Sequence, residues 1–291
     1  MSNVEDHRQN ISIVIPAKNE AKSLVTLLPQ LKKGFPNSEI IVVNDGSIDN
    51  TKEELLKYEV KVITHHTSRG NGAAVKSGAR VASSEIIVFM DGDGQHDPED
   101  IPKLIDEINN GADLAVGSRN KKGQANIARG VANAFYNWFA SKVTGFPVED
   151  LTSGFRAVKA DKFREFIYLL PNGFSYPTTS TMAFLRSGFN VSFVPIAVSK
   201  RRGKSHLRPI RDGVRFLIII FKIATLYSPL KVFLPIAALS FFLGLARYLY
   251  TYLTMGVFTN MSALLFVTSV QIFLIGLVSE QITALIYKDT K

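Results

Sequence analysis

Short runs of consecutive apolar residues alternate with segments of helical periodicity over the first two thirds of the chain, and much longer apolar runs fill the last third. Residues 11–16, 39–43, 60–64 and 86–90 have the length and β-branched content of buried strands. Polar turns separate them from amphipathic segments: 17–20 leads into a helix ending near Gly34, 44–51 into a second helix, and 69–73 into a third that runs to about Val81. Beyond these the pattern predicts a helix over 98–110, a strand over 112–116, helices over about 125–143 and over 176–186, and a last strand over 191–196. The opening βαβαβαβ series implies an α/β fold with a largely parallel, doubly wound sheet and right-handed crossovers.

The last third reads differently. From Arg208 to Tyr227 the basic residues Arg208, Arg211, Arg215 and Lys222 fall within roughly 60° of one another at helical pitch, and the rest of the circumference is apolar. This predicts an interfacial helix, ended by Pro229, that rests on an anionic membrane surface. Two stretches long enough to cross a bilayer follow, over about 232–252 and 262–287. Residues 251–261 between them hold no lysine or arginine, whereas basic residues flank the other ends, so the positive-inside rule places both termini and the N-terminal domain in the cytosol. Arg247 and Glu280 are ionisable groups inside these spans. At helical rise Arg247 lies about 22 Å from Val232 and Glu280 about 10 Å from Tyr287, so they do not match in depth. Snorkelling, or a contact between protomers of a homo-oligomer, suits them better than mutual pairing.

Composition narrows the classes. The sequence contains no cysteine, which excludes disulfides, thiolate catalysis and zinc-cysteine sites. Residues 1–10 are polar and lack the apolar core of a signal peptide. The net charge of +9 is concentrated late, beside the apolar spans, which favours anionic lipid or phosphate over nucleic acid as partner.

The chemistry gathers where the fourth strand ends. Residues 86–90 deliver Asp91, Asp93 and Gln95 into a turn loosened by Gly92 and Gly94. Spaced by two, their oxygens can fall on one side of an extended segment and meet a hard divalent cation such as Mg²⁺ or Mn²⁺. An EF-hand would need glycine and glutamate where His96 and Pro102 stand, so that reading fails. Asp97, Pro98 and Glu99 read as the cap and first turn of the next helix. That leaves Asp91 and Asp93, which sit where open α/β sheets place their ligands. Gly70-Asn71-Gly72 follows the third strand and has Val75 where a dinucleotide fingerprint needs glycine, which argues against a dehydrogenase. Asp45, Ser47 and Asp49 suit either turn-and-cap chemistry or a site at the end of the second strand.

Three ordered segments, Ile15-Pro16-Ala17-Lys18-Asn19-Glu20, Val43-Asn44-Asp45-Gly46-Ser47 and Met90-Asp91-Gly92-Asp93-Gly94-Gln95-His96, together resemble the family-two glycosyltransferases of the GT-A fold. The D-x-D-x-Q-H form followed by Pro98-Glu99 is similar to the dolichol-phosphate mannose synthase group. The resemblance implies a GT-A catalytic domain over 1–207, ahead of the interfacial helix at 208–228 and a transmembrane hairpin at 229–291. It implies that Pro16, Ala17, Asn19, Glu20, Asp45, Ser47, Asp91 and Gly92 bind a nucleotide sugar, and that Asp91, Asp93 and Gln95 hold Mg²⁺ or Mn²⁺ on its diphosphate. Arg119 and Arg129 stand where the group binds the phosphate of a lipid acceptor, with Asn133 where a serine is common. Asp150-Leu151-Thr152-Ser153-Gly154-Phe155-Arg156 matches the group's D-x-x-S-G-F segment and adds Ser153. Arg201, Arg202, Lys204 and Ser205 belong to a segment similar to an R-x-G-x-S-K loop that closes over phosphates, with His206 in place of the lysine.

The implied reaction is inverting transfer of a hexose, mannose or glucose, from a GDP or UDP sugar to a polyprenyl phosphate of dolichyl or undecaprenyl type, with catalytic roles for Asp93 and Asp150. A lipid phosphate has a second pKa of about 6 and is largely dianionic near neutral pH, which favours an orienting or electrostatic role for Asp150, with catalytic base as the alternative. A polysaccharide or glycolipid synthase with a hydroxyl acceptor is a rival reading. Its usual Q-x-x-R-W is missing, since the only tryptophan lies in Asn137-Trp138. A non-catalytic scaffold would be expected to have lost Asp91, Asp93, Gln95, Arg119 or Arg129, and all are present.

Overall fold

The computed structural model describes residues 11–119, 127–173, 175–197, 218, 221, 225 and 227–288, with the backbone alone for 127–133. The chain packs as two compact units, Met1–Pro209 and Ile210–Lys291.

The first unit begins with β1 (Ile11–Ala17), α1 (Ala21–Gly34), β2 (Glu39–Asp45), α2 (Thr51–Leu55), β3 (Lys61–His65), α3 (Asn71–Val81) and β4 (Ile86–Phe89). A helical turn at Pro98–Asp100 then leads into α4 (Ile101–Asn109). β5 (Leu114–Arg119), α5 (Ile127–Thr144), β6 (Arg156–Lys159), α6 (Ala160–Glu165), α7 (Tyr176–Arg186) and β7 (Val191–Ile196) complete it. The strands form one seven-stranded sheet in the order β3-β2-β1-β4-β6-β5-β7. β1 and β2 are buried on both faces, which is why they read as unbroken apolar runs rather than alternating ones. α1 lays Leu24, Leu27, Leu28 and Leu31 on the sheet at the spacing of one helical face, and α4 does the same with Ile101, Leu104, Ile105 and Ile108.

The sheet is parallel except for β6, which runs antiparallel to both β4 and β5. Neither β6 nor α6 is anticipated by the apolar pattern, because the four residues of β6 begin and end on a basic side chain. β5 starts later than expected and runs on to Arg119, which is therefore the last residue of a strand and pairs with Ile196. α6 also closes the end of α3: Arg164 donates from Nε to the Ala79 carbonyl at 3.2 Å and from Nη2 to the Ala82 carbonyl at 2.5 Å.

The second unit is a hairpin of α8 (Pro229–Met255) and α9 (Asn260–Ile286), each 27 residues long and apolar enough to cross a membrane. Pro229 starts α8, at the first helical position. The buried positions recur every seven residues, Ala237, Gly244 and Thr251 on α8 against Ser262, Ser269, Gly276 and Thr283 on α9. That period is the seam of a left-handed pair, and its small residues let the backbones approach closely. A Cβ on Gly276 would stand 2.7 Å from Phe233 Cβ, and Ser269 Oγ donates to the Ala237 carbonyl at 2.9 Å. Glu280 accepts from Ser228 Oγ and from the Leu230 amide, both at 3.1 Å, and so caps the first turn of α8. Arg247 lies over the Tyr250 ring, more than four turns further along α8. The interfacial helix expected over 208–228 lies outside the described residues except at 218, 221, 225, 227 and 228.

Candidate active site

β1, β2 and β4 end side by side, and the turns that leave them line a cavity of about 450 Å³ at the carboxyl edge of the sheet. Pro16, Ala17 and Glu20 come from β1 and the turn after it, Asp45 ends β2, and Asp91, Gly92, Asp93 and Gln95 follow β4. Sequence reasoning singled out all eight. It missed Lys18, Ser68, Gly70 and Asn71, and also Thr152, Gly154, Tyr176 and Pro177 from the far side of the chain.

Asp45 is saturated. Its Oδ1 accepts from His65 Nδ1 at 2.7 Å and the Arg69 amide at 2.8 Å, and its Oδ2 accepts from Ser68 Oγ at 2.7 Å and the Gly70 amide at 2.8 Å. Burial opposes ionisation here, but the His65 bond and the three others overcome it and hold the carboxyl near pKa 2. His65 is the register partner of Asp45 across β2 and β3, and its other ring nitrogen meets Ser77 Oγ at 3.0 Å. Asp45 thus braces the 68–70 wall. Gly70 and Gly72 lie against the 171–173 backbone, where a Cβ on Gly72 would stand 2.8 Å from the Gly173 carbonyl. Their glycine identity answers to that close approach.

Asn19 and Ser47 do not line the cavity; they clamp the turns behind it. Asn19, in the left-handed region at φ 57°, donates its amide to Ser47 Oγ at 3.0 Å and accepts from the Ile48 amide at 2.8 Å. Thr51 Oγ1 accepts from the Glu20 amide at 3.1 Å, which ties the start of α1 to that of α2.

Asp91 and Asp93 are partly exposed to the cavity. Gly94, at φ 70°, turns the chain so that the Gln95 amide donates to Asp93 Oδ1 at 3.1 Å. Gly154 packs against Asp91 so closely that a Cβ there would meet Oδ2 at 2.8 Å. Among the described residues no three His, Asp or Glu side chains form a group that could by itself hold a metal ion. Two carboxylates and an amide beside an open cavity are a donor set that fits Mg²⁺ or Mn²⁺, which take their remaining oxygens from water and phosphate. Next to them His96 is buried and stacked on Phe155, with centroids 4.9 Å apart. Burial pushes its pKa down to about 4, against the pull of Asp93, so the ring is neutral near pH 7.

Arg119 and Asp150 form a two-point pair, Nε to Oδ2 at 2.7 Å and Nη2 to Oδ1 at 2.9 Å, and Arg119 Nη2 also reaches Thr152 Oγ1 at 2.5 Å. Asp150 is only 5% exposed. Burial raises its pKa, but the hydrogen bonds and charge of Arg119 win and hold it below the usual carboxylate range. Neither residue lines the cavity itself; Thr152 links them to it. Ser153 is buried and its Oγ has no partner. The side chains of Arg129 and Asn133, and residues Arg201, Arg202, Lys204 and Ser205, lie outside the described residues.

A mostly parallel sheet with one reversed strand is a GT-A-like fold, and this one carries a carboxylate pair at its carboxyl edge. Residues 12–167 match glycosyl transferase family 2 and residues 228–285 match the GtrB C-terminal hairpin, so the chain belongs to glycosyltransferase family 2. It is 30% identical over 209 residues to an undecaprenyl-phosphate mannosyltransferase of Micrococcus luteus, a match covering 67% of this chain and 86% of that protein. It is 44% identical over 119 residues to a dolichol-phosphate mannosyltransferase of Pyrococcus furiosus, covering 39% of this chain and only 34% of that longer protein. Glucosyl-3-phosphoglycerate synthase of Mycobacterium tuberculosis, crystallised with Mn²⁺, UDP and phosphoglyceric acid, superposes with a TM-score of 0.60 at 19% identity, over 76% of this chain and 81% of that one. At that identity the likeness is one of fold.

Proposed function

We propose that the protein is a membrane-anchored, inverting glycosyltransferase that moves a hexose from a nucleotide sugar to a polyprenyl phosphate. The observation that carries this reading is the placement of the Asp91–Asp93 pair and the Arg119–Asp150 pair on either side of the 152–154 turn: one suits a diphosphate with its cation, the other an anionic acceptor. The relatives that act on undecaprenyl and dolichol phosphate support the acceptor class.

In this reading Pro16, Ala17, Glu20 and Gly92 bound the nucleotide sugar, and Asp45, Asn19 and Ser47 shape its pocket by bracing the surrounding turns. Asp91, Asp93 and Gln95 would hold Mg²⁺ or Mn²⁺, which supplies positive charge to the departing nucleotide diphosphate. Arg119 orients the acceptor phosphate, together with Arg129, Asn133, Ser153 and the 201–205 segment, and Asp150 fixes the Arg119 guanidinium. A phosphate oxygen of the dianion attacks the anomeric carbon in line as the bond from that carbon to the diphosphate oxygen breaks. No proton changes hands, so no base is required. The hairpin anchors the catalytic domain at the cytosolic bilayer surface, where the lipid phosphate lies.

The test is to incubate the purified protein with a polyprenyl phosphate, Mn²⁺ or Mg²⁺, and a panel of GDP and UDP sugars, then weigh the organic-extractable products. A lipid heavier by one hexosyl unit is the expected result and names the donor. Release of nucleotide diphosphate without a heavier lipid would move the acceptor to a hydroxyl compound. Activity undiminished in Asp93→Ala would overturn the metal assignment.

A further inference from the structure

Behind the cavity wall that carries Asp91 lies a buried cation. Arg156 opens β6 with no exposed surface, flanked across the ladder by Phe89 of β4 and Val116 of β5. Its Nη1 donates to the Pro177 carbonyl at 3.1 Å, Ser180 Oγ at 2.7 Å and Thr181 Oγ1 at 3.3 Å, and its Nη2 donates to the Ser153 carbonyl. All four acceptors are neutral, and Nε has no partner. Among the described residues no carboxylate forms an ion pair with it; the charges that act on it from further away are Asp150 and Asp91.

A guanidinium is always charged, and burying one without an ion-paired carboxylate carries a desolvation cost that a well-packed apolar side chain would not. Packing alone therefore does not account for arginine here. Its contacts lead to Asp91: the guanidinium lies 5.8 Å from the centre of the Tyr176 ring, Tyr176 Oη donates to the Gly154 carbonyl at 3.3 Å, and Gly154 is the residue that abuts Asp91. One side chain thus ties down both the 153–154 and the 176–177 backbone around that carboxylate.

We propose that Arg156 is a positioning residue that keeps a fixed positive charge behind Asp91, so that the pocket favours a nucleoside diphosphate and disfavours a bare divalent cation. This rests on the assignment of Asp91 and Asp93 to the metal and diphosphate. A fixed charge acts with opposite sign on the two ligands, whereas damage to the pocket weakens both.

The experiment uses the full chain in detergent, with Mn²⁺ alone followed by electron paramagnetic resonance and metal-free UDP or GDP by calorimetry. Arg156→Met should bind Mn²⁺ about fivefold more tightly and nucleoside diphosphate about fivefold more weakly, and Arg156→Lys should return both toward wild type. Where Arg156→Met does not fold, Arg156→Gln, which keeps donors toward Pro177 and Ser180, should show the same opposite shifts. Affinities that fall together, or that stay unchanged in a folded variant, would overturn the inference. Asp93→Ala separates the two readings: lost Mn²⁺ binding there with unmoved Arg156 variants sinks this inference alone, whereas retained Mn²⁺ binding sinks the metal assignment beneath it.

Discussion

The guanidinium of Arg119 and the carboxylate of Asp150 meet as a fork, with both bonds under 3.0 Å, between the last residue of β5 and the segment that leads into β6. In Asp150→Asn the charge is lost and only one oxygen remains to accept. The expected result is a fall of about 10- to 100-fold in kcat/KM for the lipid acceptor, with the donor KM little changed. Steady-state rates with each substrate varied in turn check it.

The same pair should leave the pH profile near neutrality to the acceptor. Asp150 ionises below the usual carboxylate range, so it contributes no limb near neutrality. The acceptor phosphate does: as pH falls through about 6 it gains a proton and the rate drops. Asp150→Asn should keep that limb at the same pH while lowering the plateau, and a limb that vanishes with the substitution would make Asp150 the base.

At the opposite, amino edge of the sheet, Glu39 accepts from Ser12 Oγ at 2.6 Å, the Ser83 amide at 2.8 Å and Lys61 Nζ at 3.0 Å. Burial opposes its ionisation, yet these bonds lower its pKa from 4.5 to about 2. The folded value lies below the ordinary one, so the stabilisation is complete above about pH 4.5 and disappears as pH falls toward 2. Glu39→Gln should lose about 1–2 kcal/mol at pH 7, the shift being screened by solvent at a partly exposed group, and flatten the dependence of urea unfolding on pH between 5 and 3. Nucleotide binding at pH 7 should persist.

Gly154→Ala places a methyl 2.8 Å from Asp91 Oδ2. Asp91 must swing away or the 152–154 turn must shift. Mn²⁺ affinity should fall about tenfold or more, while the melting temperature changes by only a few degrees.

Glu280→Ala removes the acceptor that caps α8 and should cost the hairpin about 1–2 kcal/mol, with Glu280→Gln milder because its amide oxygen still accepts. Protease susceptibility around Ser228 reads this out, and nucleotide binding by the first unit provides the control.

Much of this was legible in the chain because it is local. The strand ends that carry Asp45 and Asp91 follow from unbroken apolar runs, and residues 176–186 and 191–196 form the helix and strand that periodicity predicts. What was not legible depends on contacts made far along the chain. Thr152, Gly154, Tyr176 and Pro177 reach the cavity only because β6 is inserted between β4 and β5, and a four-residue strand flanked by basic side chains carries no apolar signal. Gly70 and Gly72 resemble a turn motif, but their reason lies about a hundred residues away, in the 171–173 backbone. Arg156 reads as one surface cation among 34 basic residues, since nothing in its neighbours announces full burial.

The reversed strand has one more consequence. The chain leaves the sheet at the end of β5, Arg119, and rejoins it at the start of the adjoining β6, Arg156, so the segment between is anchored on neighbouring strands. None of the strands that end at Asp45 or Asp91 passes through it. On the proposed function, exchanging this segment would alter the acceptor side of the enzyme, but Thr152 and Gly154 at its end would have to be kept, because they also line the cavity that holds Asp91.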